Sequence, residues 1–410
     1  MSVSPRWLAL ALLVAGCGED EPIAPPEVPI CDRLTEACGA APSAGPAYSP
    51  PITVVPNSGM PPQVVSQVSH NNLDIAWYRG RLYFAFRTAP HHFAGTDTVL
   101  YVVSSEDQLH WRFETKLAMD TDLREPRFLV VGGRLILYFA VLGTNALAFE
   151  PQGAKYTVCG KPGHWSVPKD IFEPGFIPWR ARNIDGTGYL IGYTGGENIY
   201  ENDQERIDVY WLKTEDGEHF EPVVKDQPIV LHSGGSETDF AFLDDGSVVA
   251  VSRNEAGDEL GWGSRICRAE AGAWGDWKCA ADPKKYDSPL LFQSGSDVYL
   301  IGRRQLANDG NYDLFHRSDP IPDQSAEYEA TYWKTPKRCS LWKVDPVALT
   351  VTFVLDLPGR GDTCFASALP LEDRSFLVYN YTSPLDGPDR SWLDGQQNPT
   401  LIYRTTLKLP

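Results

Sequence analysis

Positive charge is scarce in this chain: 36 Lys and Arg stand against 54 Asp and Glu, a formal net charge of -18. That balance, with no local Lys/Arg run, is the wrong sign for a phosphate-backbone binder, so nucleic acid is not an expected partner. Long apolar runs are also missing. The single run, Trp7 to Val14, covers about ten residues where a bilayer core needs roughly twenty, so no permanent transmembrane helix is expected. The cysteines offer no CxxC pair and no Cys/His set, and neither a metal nor a cofactor is expected. No nucleotide loop, nucleophile elbow or HExxH motif occurs. Helical periodicity is nearly absent, which leaves a fold built from strands.

The amino-terminal segment is legible on its own terms. One Arg, the short apolar run and small residues before Cys17 make residues 1–17 a secretory signal. Val14-Ala15-Gly16-Cys17 resembles the bacterial lipobox, which implies lipidation of Cys17. Gly18 after the anchor favours the outer membrane, and the lipid is then the only membrane attachment. Residues 18–62 are rich in Pro, Ala, Ser and Glu and read as a tether. Taking Cys17 from the eight cysteines leaves seven, so at least one stays free or pairs elsewhere. Cys31 with Cys38, Cys267 with Cys279, and Cys339 with Cys364 are candidate disulfides, and Cys159 is the candidate free thiol.

Residues 63–410 carry one unit six times. It recurs about every 57 residues, within the range of propeller blades. Each copy has a polar entry, an apolar strand, a Gly or Asp turn and a second apolar strand. The copies begin at Leu73, Arg124, Trp179, Glu237, Asp287 and Asp362. A third strand ends in a turn of its own in two units, SSEDQLHW and KTEDGEHF, where Ser105 matches Thr214, Asp107 matches Asp216 and Trp111 matches Phe220. The pattern [S/T]-x-D-x-x-x-[aromatic] is an Asp-box turn. The fold expected is all-β, a six-bladed propeller, with five blades as the alternative count and a β-sandwich as the alternative architecture.

The first strand of a propeller blade lines the central channel, so six polar entries converge on one mouth. They bring Asp74, Arg124 with Glu125 and Arg127, Arg180 with Arg182, Glu237 with Asp239, Asp287, and Asp362. Mutual neutralisation in a channel ring is one role for these charges. Catalysis is the other. Two carboxyls across a channel provide the acid and the base or nucleophile of glycoside cleavage; Glu237 and Asp74 come first, with Glu125 and Asp362 as alternates. Arg87, Arg253 and Arg303 share a register just after the second strand and form a candidate clamp for an anionic group, with Arg180 beside them. Trp179 is placed to stack on a sugar face, and His91 or His92 to overhang the mouth as a proton donor.

These residues resemble the sialidase-like, Asp-box superfamily, over roughly Ser69 to Leu409. The resemblance rests on FAFRTAPHH, the two Asp-box turns, LREPRF, PWRARN, ETDFAFLDDGSVVAVSR and GDTCFASA. It implies six blades, an arginine triad for a substrate carboxylate, a Tyr nucleophile assisted by a Glu, and an Asp acid/base. Glu237 and Arg253 look like the family's fourth-blade Glu and second clamp arginine, and Tyr379 and Tyr381 stand near the expected nucleophile strand. The family's Arg-Ile-Pro entry to blade one is here Leu73-Asp74-Ile75-Ala76, so the first clamp arginine is missing. The function expected is that of a monomeric, cell-surface glycoside hydrolase-like protein acting on acidic or sulfated glycans; the alternative is a lipoprotein that binds a glycan, another anionic ligand or a protein without turnover.

Overall fold

Tight turns of one kind join the first two strands of blades one to three. Arg79-Gly80, Gly132-Gly133 and Asp185-Gly186 each have positive φ at both residues, the two-residue hairpin turn whose twist matches that of the strands it joins. The structure is a computed structural model that describes residues 45–197 and 206–410. Blade one is Ser69–Tyr78, Arg81–Ala89, Val99–Ser105 and Arg112–Leu117. Blade two is Leu123–Val131, Arg134–Leu142 and Pro151–Lys161, edged by His164–Trp165 and Lys169–Ile171. Blade three is Ile177–Ile184, Thr187–Thr194 and Ile207–Thr214, edged by Glu221–Pro222 and Ile229–Ser233. Blade four is Gly235–Phe242, Val248–Asp258, Gly261–Ala269 and Lys278–Asp282, and blade five is Leu290–Ser294, Asp297–Gln305, Lys337–Asp345 and Thr350–Leu357.

Blade six closes the ring with both ends of the chain. Ser367–Pro370, Ser375–Thr382 and Leu401–Lys408 are completed by Ala47–Tyr48 and Ile52–Val55, which pair antiparallel with Leu401–Lys408. The propeller therefore begins before residue 63, and the end of the expected tether is part of the fold. The strands were hidden by their length and by Pro50, Pro51 and Pro56 around them, although Val54 and Val55 are fully in the core.

The Asp-box turns hold as hydrogen-bonded units. Asp107 Oδ1 accepts from the backbone of Leu109 and His110 at 2.8 Å, and Asp216 Oδ1 accepts from Glu218 and His219 at the same distance. Gly217 has φ +75°, and a Cβ there would lie 1.9 Å from Ile136 Cδ1, so only glycine fits. Asp345 builds a third such turn, accepting from Val347 and Ala348. Aromatic rings fill the seams between blades. Between blades three and four, Trp211 packs against Phe240 at 5.0 Å and Trp274 at 6.0 Å; truncating a buried ring of this kind to Ala costs about 3–5 kcal/mol.

A helix, Ile321–Lys334, is inserted in blade five, and a short one, Trp392–Gln396, in blade six. Sequence periodicity did not disclose the longer one because its buried face is Gln324, Ser325, Tyr328 and Tyr332 rather than aliphatic. Among the described residues no helix is long and apolar enough to cross a membrane. Disulfides join Cys267 to Cys279 and Cys339 to Cys364, and Cys159 is free and buried. Cys17, Cys31 and Cys38 lie outside the described residues.

Candidate functional site

The inner strands do not enter the sheets smoothly. The ladder is bulged between Asn71 and Leu73, between Arg124 and Arg127, and between Gly235 and Thr238. Asn72 and Glu125 have positive φ, as does Ser288 at the entry to blade five. A bulge turns one side chain out of the ladder and re-aims it. Asn72, Glu125, Glu237 and Ser288 all line one cavity of about 490 Å³ at the channel mouth.

The ends of the second strands supply the opposite charges. Arg253 and Arg303 line the cavity, as does Tyr381 at the matching place in blade six. Arg253 Nη1 lies 3.0 Å from Glu237 Oε1, and its Nη2 lies 3.2 Å from Glu255 and donates to Ser236 Oγ. Arg303 donates to Asp287 Oδ2 at 2.8 Å and to the Thr363 carbonyl at 2.7 Å. Asp287 is the hub between them, also accepting from the Tyr332 hydroxyl and lying 3.9 Å from Lys285. Although burial works to raise it, Lys285, Arg303 and Arg253 hold the Asp287 carboxyl below its ordinary value.

Glu237 is held differently. Its Oε2 accepts from the Ser288 backbone at 2.6 Å, yet burial lifts its carboxyl to about 7 against the pull of Arg253, with Asp287 and Glu125 adding to the rise. Burial likewise raises Glu125. In blade six the Tyr381 hydroxyl donates to Asp362 Oδ1 at 2.8 Å, and Asp362 Oδ2 lies 2.6 Å from His92 Nδ1. Burial, then the Asp362 charge, pushes the Tyr381 phenol well above its ordinary value. Burial pushes the His92 imidazole down.

Five of the residues proposed from sequence for the site do not line it: Asp74, Arg87, Arg180 and Trp179, whose roles are corrected, and Asp362, which stands behind the lining. Asp74 is walled into the channel, its oxygens accepting from Phe128 N at 2.7 Å and Ser367 Oγ at 2.6 Å. Arg87 is fully buried against Asp122 at 2.8 Å, with Asn71 on its Nη1 and Thr98 sharing Nη2 with Asp122, so it is not part of a clamp. Arg180 ties blades together by donating to the carbonyls of Pro289, Ser288 and Ala366. Trp179 is 1 % exposed and packs on Phe365, so it offers no face to a sugar. Of the two histidines, His92 lines the cavity. Asp362 is fully buried behind it and Tyr381.

Of the two tyrosines left open by the sequence, Tyr379 bonds Gln108 and packs on Phe84, whereas Tyr381 faces the cavity. Sequence reasoning missed Asn72, Tyr193, Ser288, Trp333 and Trp392. The two tryptophans come from the inserted helices and form one wall, with Trp392 lying 4.9 Å over the Arg303 guanidinium. No repeat encodes these insertions. His316, Asp319 and Glu327 have metal-ligand spacing among the described residues, but all three are exposed and none lines the cavity.

No family model matches the chain, and no curated protein matches it. Solved structures do. A protein of unknown function from Dyadobacter fermentans DSM 18053 superposes with a TM-score of 0.58 at 14% identity, over 90% of this chain and 100% of that one. Trypanosoma rangeli sialidase in complex with sialic acid gives 0.54 at 11% identity, over 90% of this chain and 59% of that one. The same enzyme with the inhibitor DANA gives 0.54 at 12% identity, over 82% and 55%. This chain thus spans under two thirds of the length of those sialidases. At such identities the likeness concerns the backbone, and with six radial sheets closed by the amino-terminal strands the chain is a six-bladed β-propeller of the sialidase-like fold.

Proposed function

We propose that the protein is a glycoside hydrolase-like enzyme of the cell surface, acting on glycans whose terminal sugar carries a carboxylate or sulfate. The observation that carries this reading is the meeting of Arg253, Arg303, Glu237 and Tyr381 in one cavity. The arginines hold the anionic group as planar, multiply donating partners. Tyr381 is the nucleophile. Glu237, with a carboxyl lifted to about 7, keeps a proton near neutral pH and gives it to the leaving oxygen. A cavity of about 490 Å³ is of a size that takes a small ligand, and the Trp333 and Trp392 wall supplies aromatic surface for a sugar. The secretory signal and lipobox-like Cys17 expected from the sequence support a site outside the cytoplasm, on the outer membrane.

The test is a release assay on residues 45–410, which keep both closing strands of blade six. The panel holds sialylated, uronate-containing, sulfated and neutral glycans; sialic acid, the ligand of the Trypanosoma rangeli enzyme, heads it. Release from one anionic class, abolished in Glu237→Gln and Tyr381→Phe, is expected. A second reading is capture without turnover. It is favoured by the carboxylates that already neutralise both guanidiniums, and binding with no release from any glycan would establish it.

A further inference from the structure

We infer that Asp362 is the base that takes the proton of Tyr381, and that His92 is the residue that positions it. The inference rests on the hydrolase reading above and assigns roles within the same site.

Geometry carries it. Tyr381 is 1 % exposed, and its hydroxyl donates to Asp362 Oδ1 at 2.8 Å. No contact of Glu237 with that hydroxyl accompanies it: Glu237 is engaged by Arg253 and by the Ser288 backbone. A phenol raised this far by burial stays protonated in the resting site, so it becomes a nucleophile only if an acceptor already touches its proton. Asp362 is that acceptor. It must stay ionised to act, and the groups facing it ensure this: although burial opposes them, His92, Arg303 and Tyr381 hold it below its ordinary value, and buried Arg87 also acts on it electrostatically.

The position of Asp362 is set from its second oxygen. An ionised carboxylate only accepts, so His92 Nδ1, 2.6 Å from Oδ2, carries the hydrogen. His92 is itself pinned, its backbone N–H donating to the Gln396 carbonyl at 3.0 Å and its carbonyl accepting from Arg124. Ser383 fixes the Asp362 backbone from the other side. The order tyrosine, aspartate, histidine thus runs from the cavity into the wall and back to the cavity, because Tyr381 and His92 both line it.

The chemistry balances in two steps. Tyr381 Oη bonds to the anomeric carbon as the bond from that carbon to the leaving oxygen breaks; the phenol proton passes to Asp362 Oδ1, and the leaving oxygen takes the proton of Glu237. Water then attacks the anomeric carbon, giving its proton to Glu237, while the tyrosyl–sugar bond breaks and Asp362 returns its proton to Tyr381.

The experiment compares the whole exported protein with Asp362→Asn, His92→Phe and His92→Gln on 4-methylumbelliferyl N-acetylneuraminide, 4-methylumbelliferyl glucuronide and 3′-sialyllactose. Losing the base lowers kcat by about 10²–10⁴-fold. The loss is equal for phenolic and sugar leaving groups, because the base acts on the nucleophile, and KM changes by less than about threefold. His92→Phe removes a donor from Asp362, so the acid limb of kcat/KM moves to higher pH; His92→Gln, which still donates, leaves the limb in place. Turnover by Asp362→Asn within about threefold of the wild type overturns the inference while the hydrolase reading stands. Should Asp362→Asn fail to fold, an acid limb unmoved in His92→Phe overturns it by itself. No release by the wild type from these three probes or from the sulfated glycans of the panel above removes the hydrolase reading, and this inference with it.

Discussion

Replacing Asp287 with Asn keeps the shape of the hub and removes only its charge. Asp287 is 1 % exposed and lies between Arg303 at 2.8 Å, Arg253 at 3.8 Å and Lys285 at 3.9 Å. Arg253 retains Glu237 and Glu255, and Lys285 retains Glu255 and Glu329, but Arg303 keeps no carboxylate in contact among the described residues. Breaking a buried pair from one side leaves an uncompensated charge and costs about 3–5 kcal/mol. Unfolding entropy near 2.1 cal/mol/K per residue gives about 0.75 kcal/mol/K for a propeller of about 360 residues, so the loss amounts to a fall in Tm of roughly 4–7 °C. Differential scanning calorimetry at neutral pH reads it. Asp297→Asn is the control, since the Lys343–Asp297 pair has side chains 49% and 40% exposed and contributes at most about 1 kcal/mol. A fall below about 2 °C for Asp287→Asn, or one equal to the control, would refute the view that this charge holds the buried cations in place.

Cys267 and Cys279 are 12 residues apart, and replacing both with Ser should cost about 3 kcal/mol through the entropy of the opened loop, seen as a Tm lowered by roughly 4 °C, with a smaller further fall in reductant than the wild type shows because only Cys339–Cys364 is left to open. Deleting residues 45–56 strips Val54 and Val55 from the core and bares the edge of Leu401–Lys408; light scattering should detect self-association through that edge, and a monodisperse variant with wild-type Tm would contradict ring closure by these strands. Burial lifts the Glu237 carboxyl in the folded protein to about 7, from an ordinary value of 4.5. The folded state therefore binds the extra proton between those values, and the carboxyl opposes folding increasingly as pH rises through the window, by about 3 kcal/mol at its upper end. Urea midpoints at pH 5 and pH 8 should show Glu237→Gln gaining on the wild type by about 2–3 kcal/mol over that span, and a constant difference would mean that Glu237 is ionised throughout.

The blades were legible because propeller repetition is written in local chemistry: two-strand periodicity, hairpin turns with Gly at a positive-φ position, and an Asp whose side chain folds the next turn. Much less of the site could be read. Arg87, Arg253 and Arg303 share a register in the repeat, yet only the last two face the cavity, because Asp122, just before blade two, meets Arg87 and seals it in. Sequence places a residue on a strand but does not say which neighbouring blade answers its charge. Bulges are equally silent: Asn72 and Glu125 reach the mouth through positive φ that neither residue type requires. Trp333 and Trp392 come from insertions outside the repeat, on helices whose buried faces are partly polar.

Charge bookkeeping at the mouth constrains any ligand more tightly than the count of arginines does. Arg253 meets Glu237 and Glu255 at 3.0 and 3.2 Å, and Arg303 meets Asp287 at 2.8 Å, so an incoming anion displaces carboxylates rather than filling bare guanidiniums. Asp287 does not give way, because three cations hold it ionised. Glu237 does. Its carboxyl stands at about 7, and taking a proton removes its claim on Arg253 without moving the backbone that holds it through Ser288. Entry of an anion at Arg253 would thereby be coupled to proton uptake at Glu237, since the anion and the carboxylate compete for one guanidinium. On the hydrolase reading proposed above, the proton so acquired is the one given to the leaving oxygen. Binding of the anion on that reading raises the protonated fraction of the acid, and a neutral sugar, which leaves Glu237 paired with Arg253, would meet less of that proton donor.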